Sequence, residues 1–145
     1  MIKTAFFFGI ITGLFFISSC KTYFIPVESF KKQFAGMDSS KMKEVTILGP
    51  AGDKVTYKTN PIEVIECLDK NGNVVHLKNS PSIEIRFTDN SNKKTIFYFD
   101  LITVNDSNVY GIQSRFFPSI KKGILLNTIK TIEIQDGKKK LSYVY

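Results

Sequence analysis

From Lys43 onward the chain never runs far without meeting a turn signal, and this punctuation limits its fold more than any other feature. Gly49-Pro50-Ala51-Gly52-Asp53, Asn60-Pro61, Asp69-Lys70-Asn71-Gly72-Asn73, Asn79-Ser80-Pro81, Asp89-Asn90-Ser91-Asn92, Asn105-Asp106-Ser107-Asn108 and Asp136-Gly137 fall between apolar segments too short for helices. The segments themselves have a period of two. Val45 and Ile47 alternate with polar neighbours, as do Val55 and Tyr57. Ile83, Ile85 and Phe87 share one face opposite Glu84, Arg86 and Thr88. Thr95 to Val104 is the longest β-like run, with Ile96, Tyr98 and Ile102 on one side and Phe97, Phe99 and Leu101 on the other. A strand apolar on both faces belongs in mid-sheet or bends between two sheets. Together these segments predict roughly nine or ten short strands with turns about every 8–12 residues, the pattern of sandwiches and small barrels. The expected class is therefore mainly β: a small antiparallel sandwich or partly open barrel.

One helix precedes the strands. Pro26 can open it, Glu28 sits favourably in its first turn, and Val27, Phe30 and Phe34 form an apolar stripe that Gly36 brings to an end. Before it, Lys21 to Ile25 reads as a short tether.

The first twenty residues obey different rules. Met1-Ile2-Lys3-Thr4 carries one positive charge, and from Ala5 to Ile17 every residue is apolar or Gly except Thr12. Ser18, Ser19 and Cys20 follow. A basic start, an apolar core and small residues before a boundary make a secretory signal peptide. The run is shorter than the roughly 20 residues a spanning helix needs. It has no polar face, which disfavours an amphipathic helix.

Ile17-Ser18-Ser19-Cys20 resembles the lipobox of bacterial lipoproteins: a branched apolar residue, two small residues, then the cysteine. The resemblance implies a diacylglyceryl thioether on Cys20, cleavage before it and acylation of the new amino terminus, so that residues 1–19 are removed. Residues 20–26 would then be a lipidated tether and 27–145 a single β-rich domain. Two or more acyl chains anchor a protein stably where one does not. The Phe-rich leader and the Asn/Lys-rich body resemble lipoproteins of the Bacteroidota. Lys rather than Asp at position 21 implies the outer membrane, and the lack of an acidic cluster after the cysteine implies that the domain faces the periplasm.

Removing residues 1–19 from the 145 leaves 126, enough for one domain with its own core, and losing Lys3 lowers the net charge from +7 to +6. A modest positive charge on an exported protein suits anionic lipid headgroups or glycans, or simply a solvated Lys-rich surface. Export makes nucleic acid the wrong partner. With Cys20 lipidated, Cys67 is the one thiol left, and its apolar strand-like setting predicts a small buried hydrophobe.

Few residues suggest chemistry. His76 lies on a strand between Val75 and Leu77, and Cys67 across the proposed hairpin is the other soft ligand; two ligands do not make a metal site. Asp69-Lys70-Asn71-Gly72-Asn73 opens like a calcium loop, but Val74 and Ser80 stand where that loop wants its Gly and its bidentate Glu. Glu63, Glu66, Glu84 and Glu133 lie on strands, and Glu63 and Glu66, three apart, face opposite sides. No serine has a nucleophile-elbow setting, and no Gly-rich phosphate loop or other cofactor motif is present.

Phe116-Phe117-Pro118 lies between strands, where two adjacent aromatics do not easily turn into one core. The favoured expectation is that both plug a barrel end. The alternative leaves one exposed, in a ligand-binding or membrane-touching loop. Lys138-Lys139-Lys140 enters the last strand, where lysines guard against edge pairing. The expected function is a non-catalytic binding or interaction module held at the membrane by its lipid, with an envelope protein or glycan as ligand. The alternative is a small envelope hydrolase acting on peptide or glycan.

Overall fold

The computed structural model describes residues 20–145, so the signal peptide expected over 1–19 lies outside the described residues. The described residues form twelve strands and one α-helix: β1 Thr22–Phe24, α1 Val27–Gln33, β2 Lys43–Leu48, β3 Lys54–Thr59, β4 Val64–Leu68, β5 Val74–Lys78, β6 Ile83–Asp89, β7 Lys94–Tyr98, β8 Thr103–Val104, β9 Asn108–Ile112, β10 Lys121–Leu125, β11 Ile129–Asp136 and β12 Ser142–Val144. They form three antiparallel sheets, ordered β5-β4-β1-β11-β6-β7, β10-β9-β8 and β12-β2-β3. Each order has two ends, so none of the sheets closes into a barrel. The expected class is the one observed: a small antiparallel β sandwich with one short N-terminal helix.

Sequence chemistry explains the hairpins directly. In three of them an Asx side chain clasps the backbone of its own turn. Asp69 Oδ1 accepts from the amides of Asn71 at 2.8 Å and Asn73 at 2.9 Å. Asp89 Oδ1 does the same for Ser91 at 2.9 Å and Lys93 at 3.0 Å. Asn105 Oδ1 takes Ser107 at 3.1 Å and Asn108 at 2.8 Å. These clasps fix the registers of β4–β5, β6–β7 and β8–β9.

The core lies between the inner face of the six-stranded sheet and α1. Ile65 and Cys67 of β4, Ile85 and Phe87 of β6, and Ile132 and Ile134 of β11 are buried on that face. The helix forms as its stripe predicts, with the Phe30 amide bonded to the Pro26 carbonyl at 2.9 Å. Gly36, at φ +69°, reverses the chain after it. Phe30 then meets Phe87 edge-on at 5.4 Å, Phe34 meets Phe99 at 5.4 Å, and Phe87 meets Phe97 at 6.0 Å. Such tilted and edge-on pairs add to the burial of the rings.

Two expectations are corrected. The segment read as a tether contains β1, which lies in mid-sheet. Thr22–Phe24 pairs with Glu133–Gln135 of β11, and Phe24 also pairs with Leu68 of β4. Tyr23 packs against the core and Ile25 is buried, its amide bonded to the Ile132 carbonyl at 3.0 Å. The physical reason is that β4 and β11 each need a partner for their open backbone groups. Among the described residues the first strand thus begins at Thr22, only two residues after Cys20.

The run from Thr95 to Val104 is not one strand. β7 stops at Tyr98, Phe99–Leu101 forms a 3-10 turn, and β8 is only two residues long. Asn60 Nδ2 donates to the Phe99 carbonyl at 2.7 Å, while the Asn60 amide bonds the Asp100 carbonyl at 2.8 Å. These bonds hold the turn that aims Asp100 inward.

Candidate functional site

A cleft of about 1330 Å³ opens where the hairpin β2–β3, the end of β7 and the sheet β10-β9-β8 approach one another. Ile47, Leu101 and Ile112, all buried, make an apolar floor, and Met42 and Val55 add to the apolar lining. Aromatic rings of Tyr57, Tyr98, Tyr110 and Phe116 form much of the wall. Lys58, Lys121, Lys139, Lys140 and Arg115 supply positive charge, against Asp53. Gly111 lies where β9 crosses β7, so close that a Cβ there would run into the Phe97 ring.

One wall is braced by a buried ion pair. Asp100 is wholly buried and Arg115 is 8% exposed. Arg115 Nη2 donates to Asp100 Oδ1 and to the Pro81 carbonyl, each at 2.7 Å. Tyr143 of β12 donates to Asp100 Oδ2 at 3.0 Å, and Tyr57 of β3 donates to the Arg115 carbonyl at 3.3 Å. The Arg115 Cζ stands 4.2 Å from the Tyr98 ring centre and 5.3 Å from that of Tyr57. Nε and Nη1 have no hydrogen-bond acceptor, which leaves these π faces as partners for that side of the guanidinium. Burial pushes the Asp100 carboxyl up from its ordinary value, and Arg115 and Tyr143 oppose the push. Burial, then the charge of Asp100, also drives the Tyr143 phenol up, so it remains a donor.

Lys139 extends this cluster toward solvent. It donates to Tyr98 Oη at 2.8 Å, bonds Glu84 Oε1, and stands 4.4 Å from the Tyr98 ring centre. Burial pulls its pKa down, but the contacts with Glu84 and Tyr98 outweigh that and raise it. This lysine therefore does more than guard a strand edge, though β12 is indeed an edge strand.

The residues singled out by sequence are scattered around this site. Phe116 is on the cleft wall and Phe117 follows it; at 91% and 63% exposure neither plugs a core. That corrects the favoured expectation. The physical reason is Arg115: its buried side chain turns inward, and the next residues turn out over the rim. Cys20 is exposed, with Sγ 3.4 Å from the Asp136 carbonyl at the end of β11.

Cys67 is buried, and burial lifts its thiol to about 11. His76 is exposed on β5 with Nε2 3.9 Å from Glu66 Oε2. Cys67 pairs with Val75 instead, so it and His76 face opposite sides of the sheet. Among the described residues no three His, Cys, Asp or Glu side chains gather into a metal-binding group. The carboxylates expected on strands lie beside cations, Glu63 beside Lys43 at 3.5 Å, Glu133 beside Arg86 at 3.3 Å, and Glu84 beside Lys139, although Glu63 stands just before β4 and not on it.

Sequence reasoning passed over Asp100 and Arg115. Two signals were there. Asp100 is the lone acid inside the longest β-like run, and only two of the twenty basic residues, Arg86 and Arg115, are arginines. Both arginines are in ion pairs, as their planar fork favours. Among the described residues no helix is long and apolar enough to cross a membrane. Compared with known proteins, the chain matches no family model, no curated protein and no solved structure.

Proposed function

We propose that this protein is a lipoprotein of the cell envelope, anchored through acylated Cys20, and that its β domain is a non-catalytic module binding a ligand in the cleft. The observation that carries the binding reading is the cleft itself. A concave, mostly apolar space walled by Tyr57, Tyr98, Tyr110 and Phe116, with convergent polar groups at one end, is the usual form of a ligand site. Its size of about 1330 Å³ exceeds the roughly 300–1,000 Å³ of small-molecule pockets, which suits an elongated ligand. The anchor rests on Ile17-Ser18-Ser19-Cys20 and on the exposure of Cys20. An outer-membrane, periplasm-facing position follows the same resemblance. The hydrolase alternative draws no support from Glu84 and Glu133, which are engaged by Lys139 and Arg86.

Two measurements test this. Intact mass of the protein isolated from its host's membranes is expected to show a chain starting at Cys20 with added acyl mass; an unacylated chain would remove the anchor. Titration with the amphiphilic anionic dye 1-anilinonaphthalene-8-sulfonate is expected to give one site per chain, lost when Leu101 and Ile112 on the cleft floor are both changed to Asp. Absence of saturable dye binding by the wild type would remove the cleft reading.

A further inference from the structure

We infer that the ligand of this cleft is an anionic membrane lipid, whose acyl chain lies along the apolar floor and whose headgroup meets lysines at the rim. This rests on the cleft being a binding site, as proposed above. Three observations carry it, and each bears on a different part of a lipid.

The floor suits a hydrocarbon chain. Met42, Ile47, Val55, Leu101 and Ile112 offer no hydrogen bonds from their side chains, so a sugar laid there would lose water from its hydroxyls without replacement. An acyl chain loses nothing by leaving water and gains burial.

The rim suits a negative headgroup. Lys58, Lys121 and Lys140 are exposed and line the cleft. None of them takes part in an ion pair among the described residues, unlike Lys139 and Arg115. Their charge is therefore free to meet a phosphate. Lysine also reaches it flexibly, with its stem laid along apolar surface.

The loop at the mouth suits a bilayer. Phe116, Phe117 and Ile120 are 91%, 63% and 66% exposed, three large apolar side chains within five residues, and Lys121 follows at once. Exposed aromatics backed by lysines are what sits at the boundary between headgroups and acyl chains. Phe116 belongs both to this loop and to the cleft lining, so it links the exposed apolar side chains to the cleft.

The test uses the lipoprotein isolated from its host and reconstituted in phospholipid vesicles. The chain has no Trp, so Phe116→Trp at the rim and Tyr110→Trp in the cleft each give a single indole reporter. Vesicles contain phosphatidylglycerol or phosphatidylcholine with brominated chains, which quench an indole in contact with them. Both reporters are expected to be quenched by brominated phosphatidylglycerol. At the Tyr110 position the quenching by brominated phosphatidylcholine is expected to be weak. Combining Tyr110→Trp with Lys58→Glu, Lys121→Glu and Lys140→Glu is expected to raise the amount of phosphatidylglycerol needed by at least about tenfold, since each surface lysine contributes about fivefold. Quenching at the rim alone, equal quenching by both lipids, or insensitivity to the charge reversals would each overturn the inference. So would displacement of the bound dye by an acidic oligosaccharide such as oligogalacturonate but not by phosphatidylglycerol. In all those cases dye binding by the wild type would persist, which separates this failure from failure of the cleft reading. Circular dichroism of every variant checks that the sheets are intact.

Discussion

Asp100 and Arg115 form an ion pair at 2.7 Å in which the acid is wholly buried and the guanidinium side chain is 7% exposed. Fifteen residues apart in the chain, they tie the turn after β7 to the segment after β9, and Tyr143 adds β12 to the same carboxylate. Removing one member strands the other charge out of water, whereas replacing both by apolar groups does not. Arg115→Ala is therefore expected to cost about 3–5 kcal/mol, a large share of the roughly 5–15 kcal/mol that holds a domain. Asp100→Leu combined with Arg115→Met is expected to cost clearly less than the two single changes summed. Urea unfolding of the wild type, Arg115→Ala, Asp100→Leu, Arg115→Met and the double variant measures this, and simple additivity would show that the pair is not coupled.

Gly111 sets how closely β9 packs on β7. A methyl group there would press into Phe97, which is 1% exposed and has no room to retreat. Gly111→Ala is expected to lose about 1–3 kcal/mol through overpacking. Phe97→Leu should recover part of that loss by making space, although it costs stability in the wild type. If the two changes prove additive in thermal unfolding, the close approach is not what fixes glycine at this position.

The hairpins and α1 were legible in the sequence because their signals are local. An Asp or Asn that clasps its own turn, and a stripe of Val27, Phe30 and Phe34, carry their reason within a few residues. β1 was not legible, since Thr22–Phe24 is too short for a period and owes its place to β4 and β11, far along the chain. The break at Phe99–Leu101 was hidden for a related reason. Alternation continues on paper through this segment, and it is Asn60, Arg115 and Tyr143, from elsewhere in the chain, that hold Asp100 inward. The cleft is harder still to foresee, because its walls come from three sheets whose packing no spacing reveals. Of its residues Phe116, Lys139 and Lys140 stood out beforehand, but the sequence favoured the wrong direction for Phe116 and read the lysines only as guards of a strand edge.

The Asx clasps predict a pH dependence at the turn tips. The backbone amide of Asn73 holds the Asp69 carboxyl below its usual range, and the Ser91 hydroxyl does the same for Asp89. A folded-state value below the unfolded one means that the stabilisation is complete above the ordinary carboxylate value. It is lost as pH falls below that value toward the depressed one. Protection of the Asn71, Asn73, Ser91 and Lys93 amides against hydrogen exchange, corrected for intrinsic rates, is expected to drop over this acidic range. In Asp69→Asn and Asp89→Asn the side chain still accepts but no longer titrates, so protection there should stay flat. A drop that persisted in these variants would assign the acid effect to other groups.

The two cysteines should differ sharply as nucleophiles, because only a thiolate attacks. Cys20 is exposed, whereas Cys67 is buried on the core face of β4 and its thiol is raised to about 11, first by burial and then by the charge of Glu66. Because this folded-state value lies above the ordinary 9.0, the contribution of Cys67 to stability is complete below pH 9.0 and is lost as pH rises toward about 11. Cys67→Ser is expected to remove that alkaline loss, with a lower stability throughout from placing a hydroxyl in an apolar site. Protein made without acylation should react at once with one equivalent of maleimide at neutral pH, at Cys20, and with a second only on unfolding. Protein taken from its host's membranes should take up none until it is unfolded, because the thioether proposed for Cys20 leaves no free thiol outside the core. Rapid uptake by that native protein would show that Cys20 is free, and the anchor would fail while the buried setting of Cys67 still stood.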